Sequence, residues 1–210
     1  VSNILKSSSM TLQSDYKKLH ITGIIDNYES GLEFIKNYDS MKNLIVFLGS
    51  SFGNFEPENG IAFLQKINSL MNDDDLFLIG LDLVKSKDIL YSAYDDSQGI
   101  TSQFNLNILS RINSELGGNF DKRKFTHHVV YNESKQKIEM YLRSLIKQTV
   151  EIPNADLILE IDENELIHTE NSHKYTIPQI EQMFTTSGFL IRDILYDEKG
   201  YFSSVLLSKK

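Results

Sequence analysis

Residues 43–83, NLIVFLGSSFGNFEPENGIAFLQKINSLMNDDDLFLIGLDL, contain two apolar runs separated by a helical pattern. The run Asn43–Leu48 is apolar without alternation, which is typical of a strand buried on both faces of a sheet. Apolar residues at helical spacing follow over Ile61–Met71, and a second apolar run covers Leu76–Leu83. A strand, a helix and a strand joined by short loops predict one right-handed βαβ unit with two parallel strands.

The regular alternation changes after this unit. Residues 86–174 look like an insertion, because a long helical segment there is followed by strands in antiparallel succession. A helix from Thr176 to Thr186 and a hairpin around residues 198–200 then complete the sheet. The sequence therefore predicts an α/β core from residues 1–85 and 175–210 and an inserted α+β lobe over residues 86–174. The predicted strands outside the central unit are His20–Ile25, Phe125–Tyr131, Lys137–Leu145, Lys147–Ile152, Leu157–Ile161, Leu190–Tyr196 and Tyr201–Ser208.

Charge and composition narrow the classes of partner. Among 210 residues, 21 are Lys or Arg and 29 are Asp or Glu, so the net charge is −8. A polyanion such as DNA or RNA needs a basic face, and the cluster Lys122-Arg123-Lys124 is short. The lack of cysteine excludes disulfides and thiolate metal sites and fits a reducing, cytoplasmic setting. The acidic balance of the chain therefore leads us to expect no nucleic acid as partner. No apolar run reaches the ~20 residues of a membrane-spanning helix, so we also expect no membrane as partner.

Two loops follow the parallel strands, at the edge where open α/β sheets bind ligands. In the first loop, Gly49 and Gly53 allow close approach of the backbone, and Asn54 offers both a donor and an acceptor. The alternative interpretation, and the better one for this loop taken alone, is a glycine-rich turn with Asn54 as a helix cap. In the second loop, Asp82 and Lys85 predict an ion pair that holds the loop.

The predicted lobe carries further polar candidates. Tyr94 stands beside two acidic residues on a predicted helix, and the plain interpretation is a core-facing ring next to a solvated acidic pair. Residues 169–172, Thr-Glu-Asn-Ser, predict a polar turn between a strand and a helix. The adjacent His127 and His128 would face opposite sides of a strand, and the other histidines supply no third ligand. No metal site is therefore predicted.

Several runs along the chain, in the same order, resemble the histidine-specific Nα-methyltransferases that begin ergothioneine synthesis. They are FLGSSFGNFEP (47–57), LDLVKSKDILYSAYDDSQGITSQFNLNIL (81–109), RINSELGGNF (111–120), KIEMYLRS (137–144) and HTENSHKYT (168–176). The resemblance covers nearly the whole chain, including the irregular lobe. It implies a class I methyltransferase with a Rossmann-like sheet and an added substrate lobe. It also implies S-adenosylmethionine as cofactor and methyl transfer to the α-amine of L-histidine, up to the trimethylated product.

The resemblance implies substrate-binding roles for five residues. Gly49 and Asn54 match the residues that lie against the amino-acid backbone of the substrate. Tyr94 matches the tyrosine that binds its carboxylate, whereas Glu170 and Ser172 match the pair that binds its imidazole ring. No residue of this chain is assigned as a catalytic acid or base.

On the cofactor side, Asn27 and Tyr28 stand where the family has Asp-Phe at the adenine. Asn departs from that pattern but still hydrogen-bonds an exocyclic amine. The family's chain extends upstream through a first strand and a glycine-rich loop that hold the rest of the cofactor. We expect residues 1–210 to lack these parts, and therefore to bind the cofactor weakly and to be inactive alone.

The residues leave two alternatives to a histidine methyltransferase open. One is an N-methyltransferase for another amino acid or small amine, which the joint presence of Glu170 and Ser172 disfavours. The other is a non-catalytic interaction module that kept the methyltransferase fold. Retention of the substrate-side residues disfavours this second alternative, because a module without catalysis has no need of that pocket.

Overall fold

The computed structural model describes residues 2–38 and 42–210. The helices are α1 (Ser2–Asp15), α2 (Tyr28–Tyr38), α3 (Pro57–Leu70), α4 (Lys87–Tyr94), α5 (Ile100–Leu116) and α6 (Ile177–Thr186). The strands are β1 (Leu44–Phe47), β2 (Leu76–Asp82), β3 (Phe125–Asn132), β4 (Lys137–Ser144), β5 (Gln148–Ile152), β6 (Leu157–Ile161), β7 (Leu166–His173), β8 (Phe189–Tyr196) and β9 (Phe202–Lys209).

The core sheet contains the predicted βαβ unit and the predicted hairpin. Its strand order is β1-β2-β9-β8, with β1 parallel to β2 and the last two strands antiparallel. Helix α3 connects the two parallel strands, as their apolar spacing predicts. The buried side chains of helices and strands form one core, which includes Leu64, Ile67, Phe77, Ile79, Phe184, Phe189, Val205 and Leu207. The predicted α/β class is therefore confirmed.

Residues 86–174 carry two further sheets. One has the order β3-β4-β7 and the other pairs β5 with β6. The expected antiparallel succession is wrong at β5, which pairs with β6 rather than with β4. The second partner of β4 is β7, where the sequence predicted a polar turn at residues 169–172. That strand has little apolar alternation because it lies at the edge of its sheet, and backbone pairing with β4 holds it there. The division into core and lobe stays a prediction.

One predicted strand is absent from the described residues. His20–Ile25 is irregular, and both Ile24 and Ile25 are exposed. A strand needs a partner for its backbone N–H and C=O groups, and no neighbouring strand pairs with this segment. The apolar residues alone were therefore an insufficient signal.

Candidate functional site

The loop after β1 folds back sharply against the strand β7. Gly49 and Ser50 both have left-handed backbone, with φ of 86° and 58°, and a 3-10 turn over Ser51–Asn54 follows. Glycine at position 49 adopts this conformation without the strain that a Cβ would cause. The turn is pressed so closely on β7 that a Cβ at Gly53 would lie 2.9 Å from the carbonyl oxygen of His173. The loop thus joins the carboxyl edge of the core sheet to the end of β7.

Asn54 lies at the end of this turn with an exposed side chain. The interpretation of Asn54 as a helix cap is wrong, because α3 begins at Pro57 and its cap position is Glu56. Among the described contacts, the carboxamide of Asn54 has no hydrogen-bond partner. Its donors and its acceptor therefore face outward beside Gly53, while the space around the Cα of Gly49 is open.

A compact polar cluster lies where the carboxyl end of β2 meets β7 and α4. The hydroxyl oxygens of Tyr94 and Ser172 are 2.7 Å apart. The Nζ atom of Lys174 donates to both of them at 2.7 Å and forms an ion pair with Oδ2 of Asp82 at 2.9 Å. Lys85 pairs with the other oxygen of the same carboxylate, so the predicted Asp82–Lys85 ion pair is present. Two residues from separate predicted motifs, Tyr94 and Ser172, are thus in direct contact.

No sequence pattern predicts the burial of Lys174. A lysine that follows a polar run is usually solvated, yet its side chain here is fully buried. Its position follows from backbone pairing, since the N–H of Tyr175 donates to the carbonyl of Asp82 at 2.9 Å. A parallel bridge between Leu83 and Tyr175 continues that pairing. This tertiary contact, together with the hydrogen bond from the N–H of Lys174 to the carbonyl of Gln136 at 2.8 Å, places the ammonium group beside Asp82.

Hydrogen bonds within residues 86–174 fix the backbone at Tyr94. The amide of Asn105 lies 2.9 Å from Nδ1 of His127 and donates to the carbonyl of Tyr141 at 3.0 Å. Because Nδ1 then accepts, Nε2 of His127 carries the proton and donates to the carbonyl of Tyr94 at 2.8 Å. The buried Asn105 therefore anchors the end of α4 indirectly.

Glu170 lies two residues before Ser172 on the same strand. Alternate residues of a strand project to one face, so Glu170 and Ser172 share a face of the sheet. The cross-strand neighbours on that face are Met140 and Ile138, which belong to an apolar cluster that Tyr94 also contacts. Glu170 is half-buried, and among the described residues its carboxylate has no hydrogen-bond or ion-pair partner. It is therefore available to accept a hydrogen bond from a ligand.

The two predicted cofactor residues begin helix α2. The side-chain oxygen of Asn27 accepts a hydrogen bond from the backbone N–H of Ser30 at 2.9 Å, so Asn27 caps this helix. The ring of Tyr28 meets Phe47 and Phe63 edge-on, with centroids 5.4 and 5.8 Å away, and it is 57% exposed. An exposed aromatic face beside an amide that keeps its own N–H donors fits an adenine ring.

A cavity of about 570 Å³ lies between the start of α3 and helix α6. Glu56, His173, Lys174 and Met183 are among its lining residues, whereas the five predicted substrate residues are not. Burial lowers the pKa of His173, whose Nε2 lies 3.9 Å from Glu56. Because this cavity is lined by none of the five predicted substrate residues, we place the candidate site at the Tyr94–Ser172 cluster.

Asp96 caps helix α5 rather than standing free in solvent. Its carboxylate accepts hydrogen bonds from the backbone N–H groups of Thr101 at 2.8 Å and Ile100 at 3.0 Å. These bonds, that from Thr101 first, lower the pKa of Asp96 from 3.8 to about 2. The ionised form is therefore the one that stabilises the helix.

We expect Asp96→Ala to lower Tm by a few degrees near neutral pH. Since the folded-state pKa is the lower one, this stabilisation is present above pH 3.8 and is lost as the pH falls towards 2. Thermal unfolding as a function of pH should show the gap between wild type and variant narrowing below about pH 4. The exposed neighbour Asp95 serves as control, and Asp95→Ala should leave Tm nearly unchanged. A gap that stays constant down to low pH would contradict the capping role.

Neither a metal centre nor a membrane span is found in the described part of the chain. Within residues 2–38 and 42–210, no group of three or more His, Cys, Asp or Glu side chains could hold a metal ion. Each of His127 and His168 is instead hydrogen-bonded to an asparagine side chain. None of the helices described in these ranges has the length and apolar character needed to cross a bilayer.

Comparison with known proteins gives a family match over the whole chain. A family model described as histidine-specific methyltransferase, SAM-dependent, matches residues 1–209. The histidine N-alpha-methyltransferase of Mycobacterium tuberculosis is 33% identical over 207 residues, which are 99% of this chain and 64% of that protein. Ergothioneine biosynthesis protein 1 of Schizosaccharomyces pombe is 26% identical over 201 residues, 94% of this chain and 26% of that protein. This chain thus spans less than two thirds of the length of either relative.

A solved structure is also similar. It is an S-adenosylmethionine-dependent methyltransferase from Clostridium acetobutylicum ATCC 824, with a TM-score of 0.48 and 10% sequence identity. The alignment covers 100% of this chain and 72% of that one.

Proposed function

The chain belongs to the family of histidine-specific, S-adenosylmethionine-dependent methyltransferases, and we propose on this ground that the native protein methylates the α-amino group of L-histidine. The family match over residues 1–209 is the observation that carries the proposal. The product would be the trimethylated amino acid used in ergothioneine synthesis, the process that gives the S. pombe relative its name. The partners are then small molecules, and we propose a cytoplasmic location because the chain has no cysteine.

The residues of this chain position the substrate and the cofactor rather than acting as acids or bases. S-adenosylmethionine supplies a methyl group on a positively charged sulfur, which leaves as a neutral thioether when the nitrogen lone pair displaces it. Such a displacement needs a neutral amine held in line with the methyl group, and orientation of this kind is worth several orders of magnitude in rate. Gly49 and the exposed amide of Asn54 are suited to hold the amino-acid backbone at the carboxyl edge of the sheet. Tyr94 is suited to donate to its carboxylate.

The ring of the substrate is assigned to Glu170 and Ser172. Both lie on one face of β7, and the carboxylate of Glu170 has no protein partner among the described residues. An imidazole N–H would satisfy that carboxylate, whereas an amino acid without a ring donor would leave it desolvated and unpaired. An unpaired charge of this kind is costly, so the pair would select histidine over other amino acids. At the cofactor, Tyr28 and Asn27 are the residues that fit the adenine.

A methyl-transfer assay tests the proposal. The native protein is incubated with S-adenosylmethionine carrying an isotope-labelled methyl group and with each of several amino acids in turn. We expect label on the α-nitrogen of L-histidine, in one, two and three methyl groups by mass spectrometry. Transfer to another amine with none to histidine would support the other-substrate alternative. No transfer to any amine, with the protein folded, would support the non-catalytic module.

A further inference from the structure

The buried cluster around Lys174 contains more positive than negative charge. Asp82 offers one carboxylate to two ammonium groups, those of Lys85 and Lys174. A buried ammonium is stable only when it is paired and hydrogen-bonded. Lys85 already supplies a positive partner for Asp82, so the carboxylate does not require Lys174 for neutrality. The second lysine leaves a net positive charge directly behind the hydroxyl groups of Tyr94 and Ser172.

The protons of the cluster can be counted. An ammonium group has three N–H donors, and Lys174 has three acceptors in range: Asp82 at 2.9 Å and the hydroxyls of Tyr94 and Ser172 at 2.7 Å. Both hydroxyl oxygens are therefore acceptors towards Lys174. Since the two oxygens are also 2.7 Å apart, one hydroxyl donates to the other. A single hydroxyl proton is left for a group outside the cluster.

We propose that Lys174 is a positioning residue that orients Tyr94 and Ser172 so that one O–H, backed by a positive charge, is presented to the substrate. A carboxylate is the ligand group that such a donor fits best, because it accepts the proton and is attracted by the charge. Lys174 has no N–H left for the ligand and acts through the two hydroxyls. The inference rests on the proposed function, which assigns Tyr94 to the substrate carboxylate.

The fold also explains why these side chains keep their arrangement. Pairing of Tyr175 with residues 82–84 keeps the neighbouring Lys174 beside Asp82, since the N–H of Tyr175 donates to the carbonyl of Asp82 and the N–H of Val84 donates to the carbonyl of Tyr175 at 3.0 Å. The ammonium group lies 4.6 Å from the centroid of the Tyr94 ring, where a cation is attracted to the aromatic face. The orientation of Tyr94 is therefore set from both its ring and its hydroxyl.

The test compares Lys174→Met with Lys85→Met in the native protein. Each change removes one of the two ammonium groups on Asp82, but only Lys174 touches the hydroxyls. We expect Lys174→Met to raise KM for L-histidine by about 10- to 100-fold with a much smaller change in kcat, because a binding contact is lost. Lys85→Met also removes the excess positive charge but leaves Lys174 bonded to both hydroxyls, so it should raise KM clearly less than Lys174→Met does. Equal effects of the two changes would show that Lys174 acts only through Asp82, and would overturn the inference.

A double-mutant cycle adds a readout that a general loss of stability would not produce. If Lys174 acts through Tyr94, the effect of Lys174→Met on KM should shrink to less than about threefold in a Tyr94→Phe background. Full additivity would contradict the proposal. Should Lys174→Met fail to fold by circular dichroism, Lys174→Gln and Lys85→Gln make the same comparison. A wild-type protein that methylates other amines but not histidine would instead contradict the proposed function, and the inference would fail with it.

Discussion

Replacement of Glu170 with Ala is expected to lower kcat/KM for L-histidine by about 30- to 1,000-fold. This corresponds to about 2–4 kcal/mol of transition-state binding, as for other hydrogen-bonded charges that lose their partner. The carboxylate is half-buried beside Met140, and among the described residues it has no other partner. Removing it therefore leaves the ring N–H of the substrate without an acceptor. Steady-state kinetics of methyl transfer by the native protein measure this loss.

The selectivity of the Glu170→Ala variant separates ring recognition from general damage. The preference for histidine over an amino acid without a ring donor should fall by a similar factor, because the penalty for an unpaired carboxylate is also removed. Glu151→Ala is a matched control, since Glu151 is an exposed glutamate on another strand of residues 86–174. Unchanged histidine kinetics in Glu170→Ala, or the same loss in both variants, would remove Glu170 from this role.

The parts of the fold that the sequence predicted are those whose apolar residues recur at the spacing of a helix or a strand. The run at β2 is buried in the sheet, with helix α3 packed in the same core. The predicted burial of β1 on both faces is wrong, because β1 lies at the edge of the sheet and leaves Leu44 and Val46 exposed. Helix ends were also predictable from chemistry. Gly117 ends α5 with φ of 71°, and Thr176 and Gln179 form a capping box at the start of α6. Such signals depend only on neighbouring residues, so they can be interpreted without knowledge of contacts between distant parts of the chain.

The strand β7 shows where local signals end. Its residues LIHTENSH are mostly polar, and they form a strand because the backbone of β4 offers a ladder of partners. The resemblance to a family nevertheless identified Glu170 and Ser172 on it, since motif matching does not depend on secondary structure. Lys174 lies in the matched run 168–176, but the resemblance assigns it no role and its polar neighbours do not predict burial. Its burial depends on Asp82, which is 92 positions earlier in the sequence.

The same dependence on tertiary contacts makes Gly53 sensitive to the smallest possible change. We expect Gly53→Ala to lower kcat/KM for L-histidine by about 10- to 100-fold, because small displacements of positioning groups are costly in rate. The new Cβ would lie 2.9 Å from the carbonyl oxygen and 3.2 Å from the backbone nitrogen of His173. Both atoms belong to a strand that is paired with β4, so neither moves easily. The turn would have to shift away from β7 and carry Asn54 with it.

Overpacking of this kind also costs about 1–3 kcal/mol of stability, which chemical denaturation would register as a lower midpoint. Gly31→Ala is the matched control, because an added Cβ at Gly31 meets no atom within 4 Å and the residue lies in helix α2. In a helix, alanine is preferred to glycine, so this control should be as stable as the wild type or more so and equally active. If Gly53→Ala kept full activity towards histidine, the contact between the turn and β7 would not position the substrate, and Asn54 would lose its proposed role.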